Sequence, residues 1–526
     1  MLLDRLPREL RDMIYNHYTT VDGGYHFNSE SGKLFTESGD KIELSLMYSC
    51  KSIASEMRGL HLQNNTIHFT TSSLTTERCS KRARHYGQLF DDFHMANILV
   101  LPWAREFIDD NIARTMSEQF PRSEALVKHL MNTERRLYQG YDQGYDKLNE
   151  PGVWGQAPSF HRDAIAELLR LVARDPRFGK ISRKVLEMHR FQFSPGQDAL
   201  SFHSLHPKPW KFPSEHEIKS MEKLLPYGPH DPFREHVRDR TKYYVSVASQ
   251  ASMFLPQLPQ HLRASIRSID LHDRHASVSH PECHARALIP FAIENPKLKI
   301  VHRADVWGAV LNSLQSSRYE EYRSDLRRGL AVMNNLYDRD VTKTVALWMR
   351  EALALQSAGM PPGSFTLVFE GEADLMQPIF DIVIEDATWQ DALQNWLGRL
   401  IVPSLPDYSG IGYQRYVCYF FEGFPDLMRD VLAGTGGVRF NNCSGRHWDL
   451  NELIQANSDC LGMADWYVKW PRMRGRDIVP PLPYTWDAIL SEYVQEGEVA
   501  PTTVRVLFRP RPRPAQNNSA PGTITS

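Results

Sequence analysis

The densest group of side chains able to bind a metal or attack a substrate is His272, His275, His280, Cys283 and His284. Imidazole and thiolate are donors that zinc accepts, but a zinc site wants four of them in a tetrahedron, usually as two close-spaced pairs. Here all five lie in one segment between a predicted strand and a predicted helix, with no distant pair to complete a site. His280-Pro281-Glu282 resembles a helix start more than a metal knuckle. The group reads as surface and capping histidines. Glu370, Glu372 and Asp374 offer oxygen donors of the kind a hard cation takes, yet a solvated turn after a strand accounts for them. Asp338-Arg339-Asp340 has the Asp-x-Asp form of some metal-dependent sugar transferases, a pattern common by chance. Residues 434–439 (Gly-Thr-Gly-Gly-Val-Arg) lack the third glycine of a dinucleotide loop and read as a turn. His216-Glu217 is not followed by the second histidine of a metalloprotease helix. Neither Gly-x-Ser-x-Gly nor a P-loop lysine occurs. The expectation is a chain without enzymatic activity, without a cofactor and without a metal.

The elements that would carry these residues alternate between helix and strand. At 526 residues the chain exceeds one compact core, and 42% apolar residues supply ample core material. The period-two segment at residues 266–271 predicts a half-buried strand. A helix at 285–293 and a strand at 298–302 follow, making one strand–helix–strand unit. Its spacing is close to that of leucine-rich repeats, but the other expected strands, near residues 98, 185 and 365, lie too far apart for a regular repeat. A degenerate solenoid is a minority alternative. Strands are also expected at 65–70, 97–101, 181–193, 365–369 and 380–384, the last two as paired neighbours. Helices are expected at 107–145, 163–173 and 316–355, and from the end of a rigid loop at 207–213 through Met253.

Charge excludes some partners. Lys and Arg number 61 against 63 Asp and Glu, so no global basic field favours nucleic acid. No run approaches the ~18 uncharged residues needed to cross a bilayer. Asp4, Arg5, Arg8, Glu9 and Arg11 interrupt the apolar core that a signal peptide would need. A cytoplasmic or nuclear location without membrane attachment is expected. The six scattered cysteines form no Cys-x-x-Cys pair and are expected to be free and mostly buried.

Residues 6–15 (Leu-Pro-Arg-Glu-Leu-Arg-Asp-Met-Ile-Tyr) combine several helix signals. Pro7 suits the first helical position, Glu9 sits favourably in the first turn, and Leu6, Leu10, Met13/Ile14 and Tyr18 share one face. A loop or loose hairpin at 21–40 precedes a second helix at 44–60, with Leu46, Cys50, Ile53 and Met57 on one face. Together with Lys51 and Glu56, and with Asn65, Ile67 and Phe69, this stretch resembles the F-box-like domain of filamentous-fungal proteins. A longer linker than a compact F-box has separates the two helices. The segment from Ser268 to Trp307 is similar to phrases in the bodies of proteins that begin this way.

The resemblance implies an adaptor that joins a protein substrate to a Skp-type linker of a cullin-RING ubiquitin ligase. It places Leu6, Pro7, Leu10, Ile14 and Tyr15 in the partner contact, with Glu9 and Arg11 at the polar rim. The resulting fold class is α+β and helix-rich. An F-box-like helical pair (1–72) precedes a large mixed α/β substrate-recognition domain (73–505), irregular, with a degenerate repeat-like arrangement as the alternative and a subdivision point near 356–365. An Arg/Pro then polar tail (506–526) is too poor in apolar residues to bury a core. Two alternatives stand beside this one: an interaction protein whose N-terminal helices pack internally with no ligase role, and an enzyme of a class without a readable signature.

Overall fold

The structure, a computed structural model, describes residues 6–73, 77–132, 157–227, 243–311, 336–399, 420–443, 445, 449–470, 477–478, 488–489 and 492–493. The polar tail and residues 133–145 of the expected helix lie outside them. The fold is mixed α and β and rich in helix. Its frame is a seven-stranded sheet built from β1 (Tyr25–Asn28), β2 (Lys33–Thr36), β3 (Thr66–Thr70), β6 (Ser268–Asp273), β7 (Lys299–Asp305), β9 (Phe365–Glu370) and β10 (Val438–Phe440). The spatial order is β10-β9-β7-β6-β3-β1-β2. All neighbours are parallel except the hairpin β1–β2 at one edge.

Parallel strands are usually buried on both faces and read as continuous apolar runs. From β3 to β7 this sheet departs from that rule. Ile67, Phe69, Ile269, Leu271 and Ile300 are buried on one face, while His68, Asp270, His272 and Arg303 project from the other and are only half-buried. The apolar face packs on the helix Val247–Phe254, the 3-10 segment Pro281–Leu288 and the residues around Leu355 and Met360. That one-sided packing is why period-two alternation is legible in the sequence.

Further groups of side chains extend the core among the described residues. A helical block is inserted between β3 and β6, and the short antiparallel pair β4 (Ser72–Ser73) and β5 (Tyr244–Val245) closes its two ends. It comprises helices such as Glu77–Val100, Pro158–Val172 and Pro176–Met188 around Phe93, Leu168, Phe178 and Phe202. A second group gathers the helices Asp338–Ser357, Ala373–Arg399 and Phe424–Leu432 beside β7, β9 and β10. A third is small: Tyr15, Ile53 and Met57 join α1 (Arg8–Thr19) to α2 (Lys51–Glu56).

Several expected elements are corrected. Residues 97–100 end a helix that began at Glu77, Leu101 opens a 3-10 segment, and 181–188 belong to the helix Pro176–Met188. Asp175-Pro176 opens that helix, with the Asp175 carboxylate accepting from the Arg177 N–H. Residues 380–384 lie in the helix Ala373–Arg399. At 97–101 a short apolar run, and at 181–193 the alternation of Val185, Glu187 and His189, suggests a strand; 380–384 is again a short apolar run, which periodicity alone assigns poorly. In the first two cases the longer helical stripe decides, as in Phe178, Ser182, Val185 and Leu186. The expected helix at 44–60 is split. Turns occupy 45–49, α2 follows, and Gly59, at φ 77°, starts α3 (Leu60–Gln63). A side chain at Gly59 would be strained there and would collide with Ser265 Oγ. Residues 21–40 do form a hairpin, and 434–437 a turn that leads directly into β10.

The four cysteines Cys50, Cys283, Cys443 and Cys460 are free, and Cys283 and Cys460 are buried. Among the described residues no helix is long and apolar enough to cross a membrane.

Candidate functional site

Strand register assembles a polar cluster on the open face of the sheet. His26, His68 and Asp270 are lateral partners across β1, β3 and β6. His272 stands two residues beyond Asp270 on the same face, with Arg303 of β7 as its lateral partner. Asp270 is the hub. One carboxylate oxygen accepts from Arg303 Nε at 2.8 Å. The other lies 3.3 Å from His272 Nε2 and 3.8 Å from His68 Nδ1. The His26 ring stacks on His68 at 4.8 Å. Arg303 reaches Glu370 through Nη1 at 2.5 Å, and Asn441 Nδ2 donates to the same carboxylate oxygen at 3.1 Å. Burial would raise Asp270, but the hydrogen bonds and charges of His272 and Arg303 outweigh it and hold the carboxyl below its usual range. Burial, and then the neighbouring His26, lower His68. A carboxylate and a neutral imidazole therefore face each other near pH 7.

This cluster adjoins an open cavity of about 790 Å³ at the C-terminal ends of β6, β7 and β9. Such strand ends are where open parallel sheets commonly receive ligands. His272, Arg303, Asp305, Glu370 and Glu372 line it. Asp305 is pushed up by burial although the backbone N–H groups of Gly308 and Trp307 donate to it. On the wall, His275 stacks flat on Tyr244 at 4.1 Å and reaches Glu492 at 2.8 Å.

The five residues of the histidine-rich segment are not brought together. His272 faces the polar cluster and His275 lies on Tyr244. His280, in left-handed backbone at φ 62°, lies 3.3 Å from Glu282 and 3.4 Å from Asp91. Cys283 is fully buried and donates to the His280 carbonyl, and burial raises its thiol far above the ordinary range. His284 is a core residue and no surface cap: its Nδ1 lies 2.7 Å from Ser246 Oγ and its Nε2 2.6 Å from the Ser279 carbonyl. Glu370 is tied to Arg303 and does not stand in a solvated turn. The group that does assemble, His68 with Asp270 and His272, spans two strands far apart in sequence. Alternation puts these residues on open faces, but it does not reveal that β3 and β6 are neighbours.

The N-terminal residues are divided. Along α1, Leu10 is 46% exposed, Met13 67% and Ile14 38%, whereas Tyr15 is 0% exposed. Pro7 and Glu9 are exposed and Leu6 is half-buried. Tyr15 is thus corrected from contact residue to internal anchor. Its ring packs with Ile53 and Met57, and its hydroxyl donates to Glu56 at 2.9 Å. Arg11, expected at a polar rim, instead forks onto the two Glu56 oxygens at 2.8 and 3.1 Å. Below α1, Asn65 Nδ2 donates to the Thr19 and His61 carbonyls, tying the helix to the start of β3.

Comparison of the chain with protein-family models, with curated proteins and with solved structures finds no match.

Proposed function

We propose that this chain is a non-catalytic recognition adaptor, with the outer face of α1 docking on a Skp-type linker of a cullin-RING ubiquitin ligase and the large α/β body holding a protein substrate. One observation carries the reading. Leu10, Met13 and Ile14 stay in solvent on a helix whose opposite side is fixed by Tyr15, Arg11 and Glu56. A rigid helix with its apolar residues turned outward is preorganised for a partner, and preorganisation lowers the ordering cost of binding. Covering each larger side chain would contribute roughly 1.5–3 kcal/mol before that cost. Leu6 and Pro7 extend the same contact, with Glu9 at its rim. The half-buried polar face of the sheet and the cavity beside it are the surface on which we place substrate recognition.

The test is co-expression with a Skp-type linker followed by size-exclusion chromatography. The intact chain should co-elute with the linker, and Leu10→Asp should abolish co-elution while leaving the melting temperature within a few degrees. Failure of the intact chain to form the complex sinks the ligase role. One observation favours a second reading, an interaction protein with no ligase role: α1 is bonded to the start of β3, which is paired on both sides within the main sheet, and does not stand apart as a module.

A further inference from the structure

We propose that His68, Asp270 and His272 form a binding site for a divalent transition metal of the zinc class. The site does not depend on the docking of α1. Two imidazoles and one carboxylate are a donor set suited to zinc, iron(II) or copper(II); calcium and magnesium prefer oxygen alone. The three ligand atoms lie within 4.8 Å of one another, and among the described residues this is the one such group of histidines, cysteines and acids. Zinc binds nitrogen and oxygen at about 2.0–2.2 Å, so two ligands of a tetrahedron stand about 3.4 Å apart. Asp270 Oδ2 is already 3.3 Å from His272 Nε2 and 3.8 Å from His68 Nδ1. The remaining pair has to close from at most 4.8 Å to about 3.4 Å, within reach of side-chain rotation.

The surroundings act on the ligands as a supporting shell does in known metal sites. All three side chains stand on paired strands at positions fixed by register. Arg303 holds Asp270 by its other oxygen, leaving Oδ2 for the metal. Glu370 offsets the Arg303 charge, so two carboxylates face one guanidinium and the local balance favours a cation. His26 stacks on His68 and fixes its ring plane. Three protein ligands leave one position open, the arrangement of zinc sites that exchange a ligand. His272 also lines the neighbouring cavity, so that position would take water or an anionic or imidazole group from a bound molecule.

The test uses the full-length chain stripped with chelator and titrated calorimetrically with Zn²⁺, then with Co²⁺ as a spectroscopic probe. One Zn²⁺ per chain should bind in the micromolar range or tighter, and Co²⁺ should give the intense visible bands of four- or five-coordinate geometry. His68→Gln and His272→Gln should each weaken binding at least 100-fold, Arg303→Gln by about 10–100-fold as a supporting residue, and His275→Gln not at all. Zn²⁺ should also shield His68 and His272 of the unsubstituted chain from an acylating reagent, read by mass spectrometry, a measurement that needs no variant to fold. Absence of saturable Zn²⁺ binding, unchanged affinity in folded His68→Gln and His272→Gln, or shielding at other histidines only would each overturn the proposal.

Discussion

At the scale of single residues, the two sides of α1 make opposite predictions. Tyr15 is enclosed by Ile53 and Met57 and bonded to Glu56. Its truncation to Ala leaves a cavity in a small cluster and should cost about 3 kcal/mol, at the low end for buried aromatics. Leu10→Asp touches a half-open position and should stay within about 0.5 kcal/mol. Urea unfolding of both variants checks the pair, and equal losses would show that the two faces are not distinct. A second residue-scale prediction concerns acid. Burial holds the His203 imidazole down at about 3 and His284 at about 4, against an ordinary 6.5. In the unfolded chain both take protons near pH 6.5, so between that pH and the folded values the unfolded state binds more protons. Stability should therefore be constant in these groups above about pH 7, fall as the pH drops from 6.5 towards 3, and level off below. His203 Nε2 has no hydrogen-bond partner among the described residues, so a proton there would be buried without an acceptor. Glu282, held at about 2 against burial by His280 and Arg162, contributes stability above its ordinary 4.5 that is lost only at still lower pH. Unfolding free energies measured from pH 7.5 to 3.5 should show the decline, and His203→Gln should flatten part of it.

At the scale of elements, what could be read from sequence depended on how many faces each element buries. The strands at 66–70, 268–273, 299–305 and 365–370 were legible, the first three because one face is apolar and the other polar. The runs at 97–101 and 380–384 were not, because a short apolar run suits a buried helix as well as a strand, and at 181–193 the alternation of Val185, Glu187 and His189 hid the helical stripe of Phe178, Ser182, Val185 and Leu186. Candidate residues followed the same rule. His272 stood out as chemistry-bearing, but its partners His68 and Asp270 were simply outward positions of ordinary strands until register placed them side by side. The turn after β7 shows a requirement that no period reveals. Gly308 passes so close to the neighbouring loop that an added Cβ would lie 2.2 Å from the Arg274 carbonyl oxygen. Its N–H donates to the Asp305 carboxylate at 2.5 Å, and its carbonyl accepts from the Ala276 N–H at 2.9 Å. Gly308→Ala must push these backbones apart and should cost about 1–3 kcal/mol, as overpacking does. The urea midpoint should fall with an unchanged slope; an unaffected midpoint would mean that the turn has room to spare.

At the scale of the whole molecule, the first seventy residues are structural members of the sheet, whatever partner α1 also meets. β3 pairs with β6 along its full length, from Thr66 opposite Ser268 to Thr70 opposite His272. Thr71 continues the contact, its N–H donating to the His272 carbonyl at 3.1 Å. Leu62, Ile67 and Phe69 lie in the same core as Val247, Leu271 and Ile300. Burying each such side chain is worth roughly 1.5–3 kcal/mol, so the three together are comparable with the whole stability of an ordinary domain, about 5–15 kcal/mol. Removing residues 1–72 would also leave β6 as a bare edge, and an exposed flat edge beside apolar side chains pairs with other chains. The fragment 73–526 should therefore fail to give a monomeric peak in size-exclusion chromatography and should lose the cooperative thermal transition of the intact chain. A fragment that stays monomeric and melts within a few degrees of the full chain would show instead that the body folds alone. That outcome would leave the N-terminal segment as a detachable docking unit, and Leu10, Met13 and Ile14 would then belong to a module and not to the edge of one continuous sheet.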